Sequence, residues 1–222
     1  FLKIMLQRII NKEIEIDRAL DFDKFASQYA IIDLMNGYHA LGFNSTYYLN
    51  PITNLIEPIT REYNSLRYSD GQNNESPLLI EQIKYKNSKI IPNSFIITKK
   101  LFENDNFITQ YLKQLNKLSD VNYLNNFFEE IIDDLNFQKN IIYKDNPFYK
   151  FPKEYLYGRQ SQILEKLNSN LKISANVDIN NNEYIRFKFK NNSVYPIRLV
   201  EIFSTEENKK FQLNNLILPG NQ

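Results

Sequence analysis

The chain has 222 residues, enough for one sizeable domain or a domain with a small module. Its 42% hydrophobic and 14% aromatic content supports a real core, and 27 basic residues against 26 acidic ones, a net charge of +1, exclude the basic surplus of a dedicated nucleic-acid binder. There is no cysteine, which excludes disulfides, thiol catalysis and thiolate metal sites.

The first stretch, "FLKIMLQRII", places Leu2, Met5, Leu6, Ile9 and Ile10 on one helical face. Lys3 and Arg8 interrupt the apolar run, so it is neither a signal peptide nor a membrane span. It reads as an amphipathic helix belonging to something longer. Asp21 or Asp23 can cap the next helix by accepting amides of its first turn. That helix carries Phe22, Phe25, Ala26, Tyr29 and Ala30 at helical spacing and is expected to stop at Gly37 in a left-handed conformation.

A β-hairpin follows over residues 45–60. "STYYLN" and "LIEPIT" are rich in β-branched and aromatic residues, and the intervening "PITN" is turn chemistry. Residues 63–77 lack periodicity and predict a long exposed loop, and residues 78–92 fit no single pattern. Asp105 can cap a helix bearing Phe107, Ile108, Tyr111, Leu112 and Leu115. Asp120 can cap a longer one bearing Leu124, Phe127, Phe128, Ile131, Ile132 and Leu135. After "NPFYKFP" a last helix, about 153–168, presents Leu156, Ile163, Leu164 and Leu167. The texture then changes to alternating apolar and polar residues in "LKISANVDI", "EYIRFKFKN" and "YPIRLVEIFS", the pattern of antiparallel strands with one face buried. Three or four such strands are too few to close a sandwich comfortably, so they either pack on the helical part or belong to a module that continues past Gln222.

The candidate chemistry lies in Asp33–Glu62. His39, the only histidine, and Asn44 stand five residues apart in "HALGFN", the spacing of base and metal-binding Asn on a protein-kinase catalytic loop. In kinases a second metal-binding carboxylate follows a short hairpin; here Glu62 lies just past the second strand. The competing readings are a histidine hydrogen-bonded to a neighbour such as Asp33, an Asn serving as turn chemistry, and a solvated Glu62. Asp33 itself lies on the apolar face of its helix, where a carboxylate needs partners. It either orients His39 or the loop, or caps backbone amides of the hairpin. Two other acidic features read as solvated: Asp70 in "YSDGQNN" is out of register for a calcium loop, and Glu129, Glu130, Asp133 and Asp134 lie opposite an apolar helical side.

The stretch "FDKFASQYAIIDLMNGYHALGFNSTYYLNPITNLIEPI" resembles the CotH family of spore-coat-type atypical protein kinases, in a divergent bacterial branch. The likeness rests on Phe22-Asp23, Tyr29-Ala30, Asp33-Leu34, "GYHAL" at 37–41, Asn44, Tyr47-Tyr48, "NPIT" at 50–53 and "IEPI" at 56–59. It extends more loosely through "YLNNFFEEIIDDL" and "YLYGRQSQILEKLN" to about residue 168. The resemblance implies an α+β fold: a mostly helical, kinase-like larger lobe over residues 1–168 with a catalytic-loop hairpin, then a small antiparallel β module over 169–222. It also implies ATP and Mg2+ or Mn2+ as cofactors, a protein substrate or envelope and coat proteins as partners, and a cell-surface, spore-coat or secreted location. Neither nucleic acid nor a membrane span in this segment is expected. On this template His39 takes the place of the catalytic Asp, Asn44 matches the loop Asn, and Glu62 stands for the metal-binding Asp. Two substituted positions imply weak catalysis or none, and a non-catalytic envelope or coat protein retaining the fold is the alternative. The five glycines are scattered and no phosphate-gripping loop precedes His39, which points to a fragment of a larger protein.

Overall fold

The computed structural model describes residues 2–61, 76–84, 95–151, 153–169, 172–180, 185–204 and 208–220. Among these are eight α-helices and six strands, with the helices forming one body and the last four strands following it. The expected α+β class is therefore present.

Helix α1 (Leu2–Ile10) lays Ile9 into the core. Helix α2 (Phe22–Met35) is the central element. Asp21 caps it by accepting the amide of Lys24 at 3.1 Å. Its far end differs from the expectation: Asn36, not Gly37, takes the left-handed conformation (φ 51°), and the Gly37 amide closes the helix on the carbonyl of Ile32 at 2.8 Å. Asparagine adopts this conformation more readily than most residues with a Cβ, and here its amide donates to the Ser76 hydroxyl at 3.0 Å.

Strands β1 (Thr46–Leu49) and β2 (Ile56–Ile59) form the expected antiparallel hairpin, with Thr46 opposite Ile59 and Leu49 opposite Ile56. Asn50 builds its turn: Oδ1 accepts the amide of Ile52 at 2.8 Å, and Nδ2 donates to Glu57 at 2.7 Å. The hairpin is fastened to α2 by Lys24 and Glu57, 2.5 Å apart. That contact, followed by the Asn50 bond, holds the Glu57 carboxyl below its ordinary range and raises the Lys24 ammonium. Ile56 also exchanges backbone bonds with Ala19 and Asp21, so the chain before α2 runs alongside β2.

Helix α3 (Leu79–Lys84) occupies part of the stretch that fitted no pattern, and α4 (Ile96–Leu101) is an element the sequence reading lacked. The loop expected at 63–77 lies outside the described residues as far as 75. Helix α5 (Asp105–Ser119) is capped by Asn104, which accepts the amides of Asn106 and Phe107; Asp105 sits inside the first turn. Asp120 caps the next helix as expected, accepting from Asn122 at 2.8 Å. The predicted long helix is broken at Ile131 into α6 (Val121–Glu130) and α7 (Ile132–Asp145). Leu124 and Phe128 are buried, whereas Phe127 and Ile132 are exposed. Helix α8 (Lys153–Ser169) packs back on α2 and α5. The core is dominated by aromatic edges, with Phe22, Phe25, Tyr29, Phe102, Phe107 and Tyr111 in mutual contact. Such ring pairs supply the burial that the scarcity of Met and absence of Trp would otherwise withhold.

Strands β3 (Ile173–Asn180) and β4 (Ile185–Asn191) form one antiparallel ribbon, β5 (Ile197–Ser204) and β6 (Lys209–Leu218) a second, each with one irregularity of register. The expected buried face is not buried: Ile173, Val177 and Phe187 share one face of the first ribbon and all are exposed. Burial is concentrated at the joint between ribbons. There Asn191 donates to the carbonyls of Tyr195, Leu218 and Pro219, and the Tyr195 hydroxyl bonds Glu81 of α3 at 3.0 Å. The β segment thus meets the helical body through Tyr195.

Candidate functional site: the His39–Asn44 loop and the carboxylate beneath it

Between α2 and β1 the chain makes two tight 3-10 turns, Tyr38–Ala40 and Gly42–Asn44. Ala40 and Leu41 are buried and act as the pegs of the loop, while His39 is exposed. Gly42 sits at φ +70°, and a Cβ there would come within 2.2 Å of the Phe95 ring. The loop therefore needs glycine at this position for both backbone and space.

The five-residue spacing closes into a contact. Nδ2 of Asn44 donates to the carbonyl of His39 at 2.8 Å and lies 3.2 Å from His39 Nδ1. An amide nitrogen has only hydrogens to offer, so Nδ1 accepts, and in the neutral ring the proton belongs to Nε2. The imidazole thus presents an N–H at Nε2. Both bonds of Asn44 use its nitrogen, which leaves Oδ1 as the hard oxygen of the pair.

Asp33 does not reach His39. It is completely buried, and it gathers a network under the loop. Oδ1 accepts from the Tyr38 hydroxyl at 2.8 Å and from the Leu79 amide at 3.0 Å, and Oδ2 accepts from the Tyr111 hydroxyl. Its amide partner is therefore in α3 and not in the hairpin, and among the described residues its carboxylate reaches the loop through Tyr38. Arg159, also completely buried, arches over the same groups. Nε donates to the Asp33 carbonyl at 2.8 Å, Nη1 to the Ser76 carbonyl at 2.7 Å, and Nη2 to the Tyr38 hydroxyl at 3.2 Å. Burial pushes the Asp33 carboxyl up from 3.8 to about 6, and the bonds from Tyr111 and Tyr38, the Arg159 charge and the Leu79 amide restrain the rise. Burial first, then the charge of Asp33, holds both phenols well above their ordinary value, so they remain donors. Tyr38 has one proton and faces a second acceptor, the Pro77 carbonyl at 2.6 Å. A proton on Asp33 lets Tyr38 turn its own toward Pro77, which suits a carboxyl that titrates near 6.

A second buried carboxylate, Glu81, accepts from the Leu78 amide at 2.7 Å, from Lys166 at 3.0 Å and from Tyr195. The sequence reading missed Arg159 and Glu81 as partners. For Arg159 the signal was present: it falls within the stripe of Leu156, Ile163 and Leu167, an Arg where the helical period asks for an apolar residue.

The structure therefore brings His39 and Asn44 together and separates Asp33 from both. Glu62 lies outside the described residues. Strand β2 nevertheless returns the chain to the rim: Ile59 stands opposite Thr46, two residues after Asn44, and Arg61 donates to the Thr46 hydroxyl at 3.4 Å. Among the described residues no three His, Asp or Glu side chains form a metal-binding group, and no helix is long and apolar enough to cross a membrane. No protein-family model matches the chain, and neither a curated protein nor a solved structure does.

Proposed function

We propose that this chain is the larger lobe of a CotH-type, kinase-like protein. Its His39–Asn44 loop and Glu62 would receive the metal–phosphate group of ATP for phosphoryl transfer to protein. The observation that carries the reading is the closed His39–Asn44 pair at the head of a hairpin that leads the chain back to the same rim. Phosphoryl transfer asks a protein mainly for positioning and charge stabilisation. Asn44 Oδ1 and the Glu62 carboxylate are hard oxygens of the kind that Mg2+ accepts alongside waters and phosphate oxygens. When bound, the metal would neutralise charge on the transferred phosphoryl group. His39 orients an oxygen through Nε2–H, and Asp33 positions the loop through Tyr38. The protein acceptors belong to the cell envelope or spore coat, a proposal that rests on the resemblance alone.

The tautomer of His39 favours a second reading, a non-catalytic envelope or coat protein that keeps the fold, because a protonated Nε2 cannot act as the base. The test uses the full-length protein with ATP and Mg2+ or Mn2+, reading thermal stabilisation and phosphate transfer to a protein acceptor. Stabilisation that disappears in Asn44→Ala and Glu62→Ala supports nucleotide binding at the rim, and transfer lost with them supports the enzyme. Binding without transfer selects the second reading for the same rim. Neither stabilisation nor transfer rejects the kinase-like proposal.

A further inference from the structure

We propose that α7 is a self-pairing helix through which two copies of this chain associate antiparallel, independently of the proposed activity. None of the residues of α7 is buried. Its inward side is marked by Leu135, which packs against the core. At about 100° per residue, Phe137, Ile141 and Lys144 lie on the far side of the helix from Leu135, and Asp134 lies at the flank next to them, so the four form one stripe. Phe137 is 61% exposed and Ile141 44% exposed, and Asp134 and Lys144 are exposed as well. Their spacing of three, four and three is that of a coiled-coil seam, with Asp134 and Ile141 at one kind of core position and Phe137 and Lys144 at the other.

The order of residues along this seam identifies the occupant. In an isologous antiparallel pair, each kind of core position faces the other kind on the second copy. Setting Phe137 opposite Ile141 of the second copy creates two equivalent apolar layers about the two-fold axis. The same register sets Asp134 opposite Lys144 of the second copy, once on each side, so every layer is complementary. A parallel pairing of equal registers would instead stack Asp134 on Asp134 and Lys144 on Lys144. A second copy, antiparallel, is thus the partner that this seam fits in both shape and charge. Helix α7 spans 14 residues, roughly 21 Å. A seam of this length buries less than the ~1,200 Å² of a standard interface. The association is therefore weak and concentration-dependent.

Sedimentation velocity of the chain over roughly 1 μM to 1 mM tests this. Wild type is expected to pass from monomer to dimer, and Phe137→Asp to stay monomeric with unchanged far-UV circular dichroism. Asp134→Lys should weaken the dimer by at least about tenfold, and Asp134→Lys with Lys144→Asp should restore it to within about threefold, since the swap regenerates the same pairs. Three results overturn the proposal. One is a wild type that remains monomeric throughout, whether or not the seam then takes up lipid vesicles or another protein. The others are a dimer indifferent to Phe137→Asp and a charge swap that fails to restore association.

Discussion

Asp33 makes the stability of the chain depend on pH with a sign opposite to that of an ordinary salt-bridged carboxylate. Its folded value of about 6 lies above the ordinary 3.8, so the folded state binds the proton more tightly. Between these values the unfolded chain carries fewer protons at this site, and stability falls as pH rises. The contribution is greatest below about 4, declines through the window from 3.8 to about 6, and is constant above it. At 1.36 kcal/mol per pH unit, the loss amounts to about 3 kcal/mol. Other carboxylates oppose this, Glu57 among them. The informative quantity is therefore the difference in urea-unfolding free energy between wild type and Asp33→Asn, measured at pH 4, 5, 6 and 7. Asn keeps an acceptor for Leu79 and Tyr38 and offers Tyr111 a donor in place of an acceptor, so its cost does not titrate. The difference should swing by about 2 kcal/mol in favour of Asn as pH rises from 4 to 7, since part of the full change lies below pH 4. A difference that stays flat within about 0.5 kcal/mol, the scatter of independent mutational effects, would refute the account of Asp33 as a buried, desolvated acid.

Arg159→Met removes the cation beside Asp33 and its hydrogen bonds to Asp33, Ser76, Gln162 and Tyr38. It should cost about 3–5 kcal/mol at pH 7, and less at pH 5, where Asp33 carries its proton; a pH-independent cost in chemical denaturation would contradict the coupling. Gly42→Ala forces a left-handed alanine against the Phe95 ring and should lower stability by at least ~1–2 kcal/mol. It should also abolish any nucleotide-dependent thermal shift, and full retention of that shift would show that the loop is not the binding element. Tyr195→Phe deletes one bond to Glu81, at an expected cost of about 1 kcal/mol by urea titration, with faster proteolysis of the β segment. Asn104→Ala should cost about 1 kcal/mol by loss of the α5 cap, whereas Asp105→Ala should cost less, and the reverse order in thermal melts would reassign the cap.

Much of the framework is legible in local pattern. The helix faces, the cap at Asp21, the hairpin and the switch to strands after residue 172 depend on residues within a few positions of one another, where propensity and periodicity act. The His39–Asn44 contact also belongs here, because five residues around Gly42 are enough to close it. The break at Ile131 was not legible: the apolar run continues through "FFEEIIDDL" with no glycine or proline to mark the end of α6. The α5 cap was misassigned by one residue because Asn104 and Asp105 are both competent caps, and only backbone geometry separates them.

Local pattern along the chain carries its class and the address of the candidate site: an aromatic, cysteine-free α+β protein with its one imidazole and an amide on a glycine-pinned loop before a hairpin. The partners of the buried polar groups come only from the packing of distant segments. Asp33, 78 positions from Tyr111 and 126 from Arg159 in the chain, acquires these partners only when α2, α5 and α8 converge. Local sequence encodes which face of a helix is apolar, but the desolvation that raises an acid and the donors that restrain it come from remote segments. Electrostatics inside a protein is therefore set by packing and cannot be read along the chain.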